Sequence, residues 1–345
     1  MMIDWLSCRV PLAWIEPINA GRFVSIRADG LVEYQVDKRR VLVGSFQSHL
    51  SVRSVELGYI ELSGNPAKFL QGHNLFGTDD LPGLFLATME AVAKSLGIEP
   101  SPQDRISWVR GEISISRLDL TTMYELNTRD EVRMWLDAAA AGSNVRWRGR
   151  GHYQPGTLTF GKAAAGKRAK RWQMVLYCKG DEIAVPGHQL HPDLPERERL
   201  VDWADNKLRV ELRLRTGELQ RLGMQQIRHW SPEHVAKALE TYLAKIELSE
   251  EQMVDMDTEA SLKPRHQRAL MVWRTGVDMK AAYAKPTVYR LRKELLEATG
   301  LDIFVRCSKS NVVPLRRALQ AVPASVPDWG GALMFSPPPR LRAVA

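Results

Sequence analysis

Residues 208–215 read Leu-Arg-Val-Glu-Leu-Arg-Leu-Arg, and alternation this strict leaves few folds open to the chain. Successive side chains of an extended strand point to opposite faces, so Leu208, Val210, Leu212 and Leu214 share one face. Arg209, Glu211, Arg213 and Arg215 share the other. Residues 172–179 repeat the pattern: Trp172, Met174, Leu176 and Cys178 oppose Gln173, Val175, Tyr177 and Lys179. In residues 112–122 the phase slips. Ile113 and Ile115 share parity with Arg117 and Asp119, while Leu118 and Leu120 lie opposite, which suggests a bulge near Ser116. An antiparallel sheet with helices on its apolar face satisfies all three segments, so the expected class is α+β.

The first 65 residues also read mainly as strands. Segments 22–27, 32–36, 40–44 and 52–62 are rich in β-branched residues and separated by turn signals such as Ala28-Asp29-Gly30 and Asp37-Lys38. Helices are expected over 84–96, stopped by Gly97, and from a Thr128 cap to about Ala141.

Charge narrows the partners. The chain carries 48 Lys+Arg against 40 Asp+Glu, a net +8, which leans towards a polyanion. No run approaches the ~18–20 apolar residues needed to span a bilayer, and the opening MMIDWLSCRV lacks the features of a secretory signal. A soluble, cytoplasmic protein without a membrane partner is therefore expected. Cys8, Cys178 and Cys307 are too scattered for a disulfide framework or a zinc site. From Ala138 to Gly180 there is no acid, while Arg146, Arg148, Arg150, Lys162, Lys167, Arg168, Lys170, Arg171 and Lys179 alternate with Trp147, Tyr153, Phe160 and Trp172. Cations for phosphates and rings for unstacked bases suit a single-stranded nucleic-acid groove. A solvated loop beside core aromatics has the same composition.

A sharp charge boundary marks a second unit. Residues 247–262 hold six acids and no bases, and residues 263–320 hold 13 bases and four acids. The expected division is a main domain over 1–246, an acidic linker over 247–262, a basic domain over 263–320 and a Pro/Gly-rich irregular tail over 321–345. In the basic domain, residues 269–273, 279–283 and 286–297 read as helices and 302–307 as a strand. Tyr289, Arg290, Arg292 and Lys293 form a positive edge on the third helix, as in a helix-turn-helix module that reads DNA. A small helical packing domain is the plain alternative.

The polar face of the sheet gathers a phenol (Tyr177), a cation (Lys179) and two carboxylates (Asp119, Glu211). Such a set suits phosphoryl transfer. Tyrosine attack on a phosphodiester conserves bond energy in a phosphotyrosine, and a nearby cation favours the phenolate. Carboxylates offer hard oxygen ligands to Mg²⁺ or Mn²⁺, and neighbouring arginines such as Arg117, Arg209 and Arg213 can hold flanking phosphates. The same residues could also be an ordinary strand tyrosine and surface ion pairs.

Residues 65–81, Asn-Pro-Ala-Lys-Phe-Leu-Gln-Gly-His-Asn-Leu-Phe-Gly-Thr-Asp-Asp-Leu, are similar to a segment of the gene II/gene X-type replication initiators of filamentous phages. Ile115–Thr121, Val175–Lys179 and Arg209–Arg213 follow in that family's order. The resemblance covers residues 50–245 and implies a rolling-circle initiator fold that nicks and rejoins origin DNA through a 5′-phosphotyrosine. It implies that Tyr177 is the nucleophile, that Asp119 and Glu211 are metal carboxylates, and that Glu182 of Tyr-x-Lys-x-x-Glu joins them. The implied partners are double- and single-stranded phage origin DNA and the host helicase and replication machinery. Many rolling-circle nickases use a His-x-His metal pair, which this chain lacks; its nearest approach is His188-x-x-His191. His73 and Asn74 are candidates for DNA contact or for the metal shell, with a buried, hydrogen-bonded His73 as the alternative. A non-catalytic DNA-binding replication regulator and an RNA-binding protein are the competing readings.

Overall fold

Several strands form where the sequence alternates, and several helices where it supplies caps. A computed structural model describes residues 1–14, 16–145, 149–161, 171–248, 261–274, 277–299, 301–304, 319 and 322–335. The strands are Met2–Pro11 (β1), Arg22–Ile26 (β2), Val32–Asp37 (β3), Arg40–Val43 (β4), His49–Glu56 (β5), Tyr59–Gly64 (β6), Ser114–Glu125 (β7), Ser143–Val145 (β8), Gly149–Arg150 (β9), His152–Gln154 (β10), Thr157–Phe160 (β11), Trp172–Cys178 (β12), Lys207–Arg215 (β13) and Ile246–Leu248 (β14). Nine of them form one antiparallel sheet in the order β10-β11-β12-β13-β7-β1-β6-β5-β4. β2 and β3 make a separate ribbon, and β14, β8 and β9 a small second sheet.

The helices are Pro66–Gln71 (α1), Leu81–Leu96 (α2), Pro102–Arg110 (α3), Arg129–Gly142 (α4), Lys179–Ala184 (α5), Arg197–Ala204 (α6), Thr216–Arg221 (α7), Pro232–Leu243 (α8), Pro264–Arg274 (α9), Met279–Ala282 (α10) and Lys285–Thr299 (α11). Two expected signals act as anticipated. Thr128 accepts from the Glu131 amide to start α4, and Gly97 (φ +67°) ends α2 in the left-handed region. α2 begins earlier than expected because Asp80 caps it and Pro82 sits in its first turn. No helix among the described residues is long and apolar enough to cross a membrane.

Leu208, Val210, Leu212 and Leu214 are fully buried beneath α2, α4 and α8, whose Phe85, Trp135 and Leu239 fill the same core. Each such side chain contributes roughly 2 kcal/mol. The bulge falls where the slipped phase puts it: Ser7 pairs with Arg117 and Cys8 with Ile115, leaving Ser116 unpaired between them.

Three expectations about the sheet need correction. Residues 52–62 are not one strand but parts of β5 and β6, joined at Gly58 (φ +76°). β1, for which no strand signal was read, lies between β7 and β6. Most of its residues are buried on both faces, so the sequence shows no alternation there. β12 stops at Cys178, and Lys179 opens α5 instead of continuing the strand.

The polar face is covered too. Residues 75–76, α5, α6 and residues 326–334 build a second apolar cluster that includes Leu75, Phe76, Leu200 and Trp329. In the C-terminal region, α9, α10 and α11 enclose their own cluster around Trp273, Val288, Leu291 and Leu295. α9 begins at Pro264, five residues before the expected start. The expected strand over 302–307 does not form at 302–304, which are irregular, and its remainder lies outside the described residues. Most of the acidic linker lies outside them as well.

Candidate active site

β12, β13 and β7 lie side by side, and their register decides which polar side chains meet. Tyr177 pairs with Arg209 and Val175 with Glu211 on one side of β13. Thr121 pairs with Glu211 and Asp119 with Arg213 on the other. Tyr177, Glu211 and Asp119, expected from three distant segments, therefore share one face.

The hydroxyl of Tyr177 donates to Oε1 of Glu211 at 2.6 Å. Arg209 Nε donates to the same oxygen at 3.2 Å, and Arg213 donates to Oε2 through its terminal nitrogen at 2.8 Å. Asp119 is gripped by both arms of Arg117, with Nε at 2.8 Å from Oδ1, and Arg213 lies 3.7 Å from its Oδ2. The Arg117 guanidinium in turn stacks 4.7 Å from the centre of the Trp5 ring. A continuous row results: Tyr177, Glu211, Arg213, Asp119, Arg117.

Burial sets the protonation states. It pushes the Tyr177 phenol well above the ordinary tyrosine value, helped by the negative charge of Glu211, while Arg209 pulls the other way. Burial also pushes Glu211 up, but Arg209 and Arg213, with the Tyr177 hydroxyl, outweigh it and hold the carboxylate well below its usual range. For Asp119 burial wins despite Arg117 and Arg213, and its pKa rises to about 6.

The cation beside the phenol is Arg209, not Lys179. Lys179 is buried at the start of α5, where its Nζ donates to Glu182 at 2.6 Å and to Asn74 Oδ1 at 3.2 Å. Glu182 also meets His188 Nδ1 at 3.0 Å. Arg209 is fully enclosed, so it is not a surface for flanking phosphates. Its guanidinium donates to Asp4 Oδ1 at 2.6 Å and to the Asn74 carbonyl at 2.5 Å.

Asp4 is a site residue the sequence reading missed. It lies at the irregularity between Ile3 and Trp5 in the β1–β7 ladder. Its Oδ1 accepts from Asn65 at 2.7 Å and Asn74 at 3.0 Å as well as from Arg209. An acid between the apolar pairs Met2-Ile3 and Trp5-Leu6 was the available signal.

His73 is the buried, hydrogen-bonded side chain of the alternative reading. It is 1% exposed, and its Nε2 meets the Leu333 carbonyl at 3.2 Å while Nδ1 accepts from the Leu75 amide at 3.4 Å. Burial pushes its pKa down to about 4, so the ring is neutral. Of the basic segment, Arg171 is exposed, and Arg146, Arg148, Lys167, Arg168 and the side chain of Arg150 lie outside the described residues. On α11, Arg290 and Lys293 are exposed, but Arg292 is tied to Asp302 at 2.6 Å and covers Phe304.

The expected metal ligands do not fit a divalent cation in this arrangement. Both oxygens of Asp119, Glu211 and Glu182 are engaged by the partners just described. The buried Thr121 hydroxyl is an oxygen on this face without a partner. Among the described residues, no three His, Cys, Asp or Glu side chains converge on one point. A cation at Asp119 or Glu211 needs an arginine to move first.

The sequence model of a family described as the N-terminal part of the gene II-type Replication-associated protein matches residues 2–233, and that of the C-terminal part of the same protein matches residues 251–331. The Replication-associated protein of Enterobacteria phage I2-2 is 36% identical over 347 residues, spanning 97% of this chain and 98% of that protein. No solved structure matches the chain.

Proposed function

The chain belongs to the family of gene II-type phage replication-associated proteins, and from that premise we propose that it initiates rolling-circle replication by nicking and rejoining phage origin DNA. The observation that carries this reading is the 2.6 Å hydrogen bond from Tyr177 to Glu211, on a face ringed by arginines.

In the proposed reaction the Tyr177 oxygen attacks the scissile phosphorus, and the bond from phosphorus to the 3′ oxygen breaks. The 3′ oxygen leaves and takes a proton from water, while the 5′ phosphate stays on Tyr177. The phenol proton passes to Glu211. A phenol held above its usual pKa beside a carboxylate held below its own does not ionise beforehand. The proton therefore moves as the new bond forms. Arg213, 30% exposed, touches Glu211 and solvent, and in this reading it meets a phosphate oxygen. Rejoining is the reverse: the 3′ hydroxyl attacks, the tyrosyl oxygen leaves, and Glu211 returns the proton.

In this reading the segment around residues 146–171 holds the extruded strand, and α9–α11 act as a helix-turn-helix-like reader of the duplex origin. Each neutralised phosphate releases counterions, so affinity for DNA falls steeply with salt. The expected setting is the host cytoplasm, with the host helicase taking over the opened duplex. The competing reading, a DNA-binding regulator without catalysis, is favoured by one feature: the carboxylates are locked by arginines.

Incubation with supercoiled phage DNA and millimolar Mg²⁺ decides between them. Nicking with a DNA adduct on the Tyr177 peptide, seen by mass spectrometry and lost in Tyr177→Phe, supports the enzyme. An adduct that survives in Tyr177→Phe sinks the assignment, and no nicking at all favours the regulator.

A further inference from the structure

Residues 322–335 follow the three-helix region in sequence yet pack against the sheet domain. The Ala324 amide donates to the Met123 carbonyl at 2.8 Å, at the end of β7. Trp329 lies edge-on to Phe76 with ring centres 6.2 Å apart, and the Arg199 guanidinium lies over the Trp329 ring at 4.4 Å. Val326, Leu333 and Met334 complete the cluster over α5 and α6.

The last residues are gripped by the conspicuous Gln71-Gly72-His73-Asn74 segment. Gln71 Oε1 accepts from the Phe335 amide at 2.8 Å. His73 donates from Nε2 to the Leu333 carbonyl at 3.2 Å, because its Nδ1 is occupied as an acceptor from Leu75. Two side chains thus satisfy one amide and one carbonyl of the docked backbone, as a neighbouring strand would. The amide of Gln71 is fixed in turn by the Phe76 carbonyl at 2.7 Å.

Asn74 follows directly and faces the other way. Its side chain joins Lys179 and Asp4, and its carbonyl receives Arg209. Arg209 donates to the Glu211 oxygen that holds Tyr177.

We infer that residues 324–335 are a clasp that positions the candidate nicking site: by holding Gln71 and His73 they fix Asn74, and with it the Arg209 side chain that orients Glu211 towards Tyr177. The inference rests on the reading of Tyr177 as nucleophile. It also means that the three-helix region is leashed to the sheet domain at both ends, and that the expected irregular tail is part of the site's support.

Gly330→Val in the full-length chain tests it. Gly330 has φ −76° and ψ −22°, open to any residue, so the change acts through bulk. A Cβ there meets Phe76 at 2.9 Å and Pro327 at 3.0 Å. The Phe76 ring cannot yield easily between His73, Trp203 and Trp329. Hydrogen exchange at the Ala324 and Phe335 amides and single-turnover nicking at saturating DNA are the readouts, with Gly331→Ala, which points into open space, as control.

Loss of amide protection with a fall in cleavage rate of about tenfold or more, at unchanged DNA affinity, is expected for Gly330→Val; such a fall corresponds to roughly 1.4 kcal/mol. Retained protection overturns the docking. Lost protection with full cleavage overturns the positioning role. If the parent does not nick, or if Tyr177→Phe nicks equally well, the Tyr177 reading fails and takes the positioning role with it. The exchange data would still report the clasp.

Discussion

Tyr177 and Glu211 are 34 residues apart in sequence and joined by a 2.6 Å hydrogen bond in which the phenol donates and the carboxylate accepts. The bond exists because β12 and β13 are adjacent antiparallel strands, with Val175 directly opposite Glu211 and Tyr177 one step further along the same face. The accepting oxygen also serves Arg209, so one atom connects the candidate nucleophile to a buried cation.

Removing the hydroxyl in Tyr177→Phe leaves Glu211 with both arginine partners. The expected stability change is about 1 kcal/mol in urea unfolding. Covalent DNA adduct formation is expected to disappear. A loss of several kcal/mol would show that the phenol is mainly structural.

Asp4→Ala strips Arg209 of one of its two carboxylate partners while leaving the guanidinium buried. Breaking a buried pair on one side costs about 3–5 kcal/mol. Asp4→Asn keeps an oxygen acceptor and is expected to recover part of that loss. Equal stability of Asp4→Ala and the parent in urea would show that Asn74 and Glu211 suffice for Arg209.

Asp119 gives stability an unusual slope. Its pKa rises from 3.8 unfolded to about 6 folded, so the native state binds the proton more tightly between those values. Its contribution is fully present below pH ~4 and is lost as pH rises through ~6, a span of ~3 kcal/mol. Asp119→Asn is expected to lack this component when unfolding free energies at pH 4.5 and 7 are compared with the parent.

His73 slopes the opposite way. Its folded pKa of about 4 lies below the ordinary 6.5, so the native state resists protonation. Stability from this site is present above pH ~6.5 and falls by ~3 kcal/mol as pH drops towards ~4. His73→Gln is expected to flatten that fall. An unchanged acid limb in the variant would argue against a buried, neutral ring.

Because arginines hold the carboxylates, millimolar Mg²⁺ is expected to leave the melting temperature of the DNA-free protein unchanged, with or without chelator. Replacing Arg117 and Arg213 together by alanine exposes Asp119 and Glu211, and that variant is expected to gain stability with Mg²⁺. A rise in the parent would show a cation site independent of the arginines.

The alternation in residues 208–215 and 172–179 determined two strands and which side chains of each share a face, because a pleated strand has no other way to arrange them; that the two are neighbours came from the fold. The slipped phase at Ser116 and the caps at Thr128 and Gly97 were legible for the same reason: each is a local constraint that one or two residues satisfy. What remained hidden was whatever depends on a second layer. The alternation could not reveal that the polar face is itself covered, so Arg209 and Lys179 looked like free surface cations although both are buried. Lys179 looked like a strand neighbour of Tyr177, yet the chain turns into a helix after Cys178 and carries it to Glu182 and Asn74. Asp4 and the clasp at 324–335 come from the two ends of the described chain, and no spacing rule links residues about 200 or more positions apart. Periodicity thus set the faces, since it is a property of neighbouring residues. Tertiary packing alone decided which charges meet, since burial pairs each cation with whichever acid the fold brings within reach.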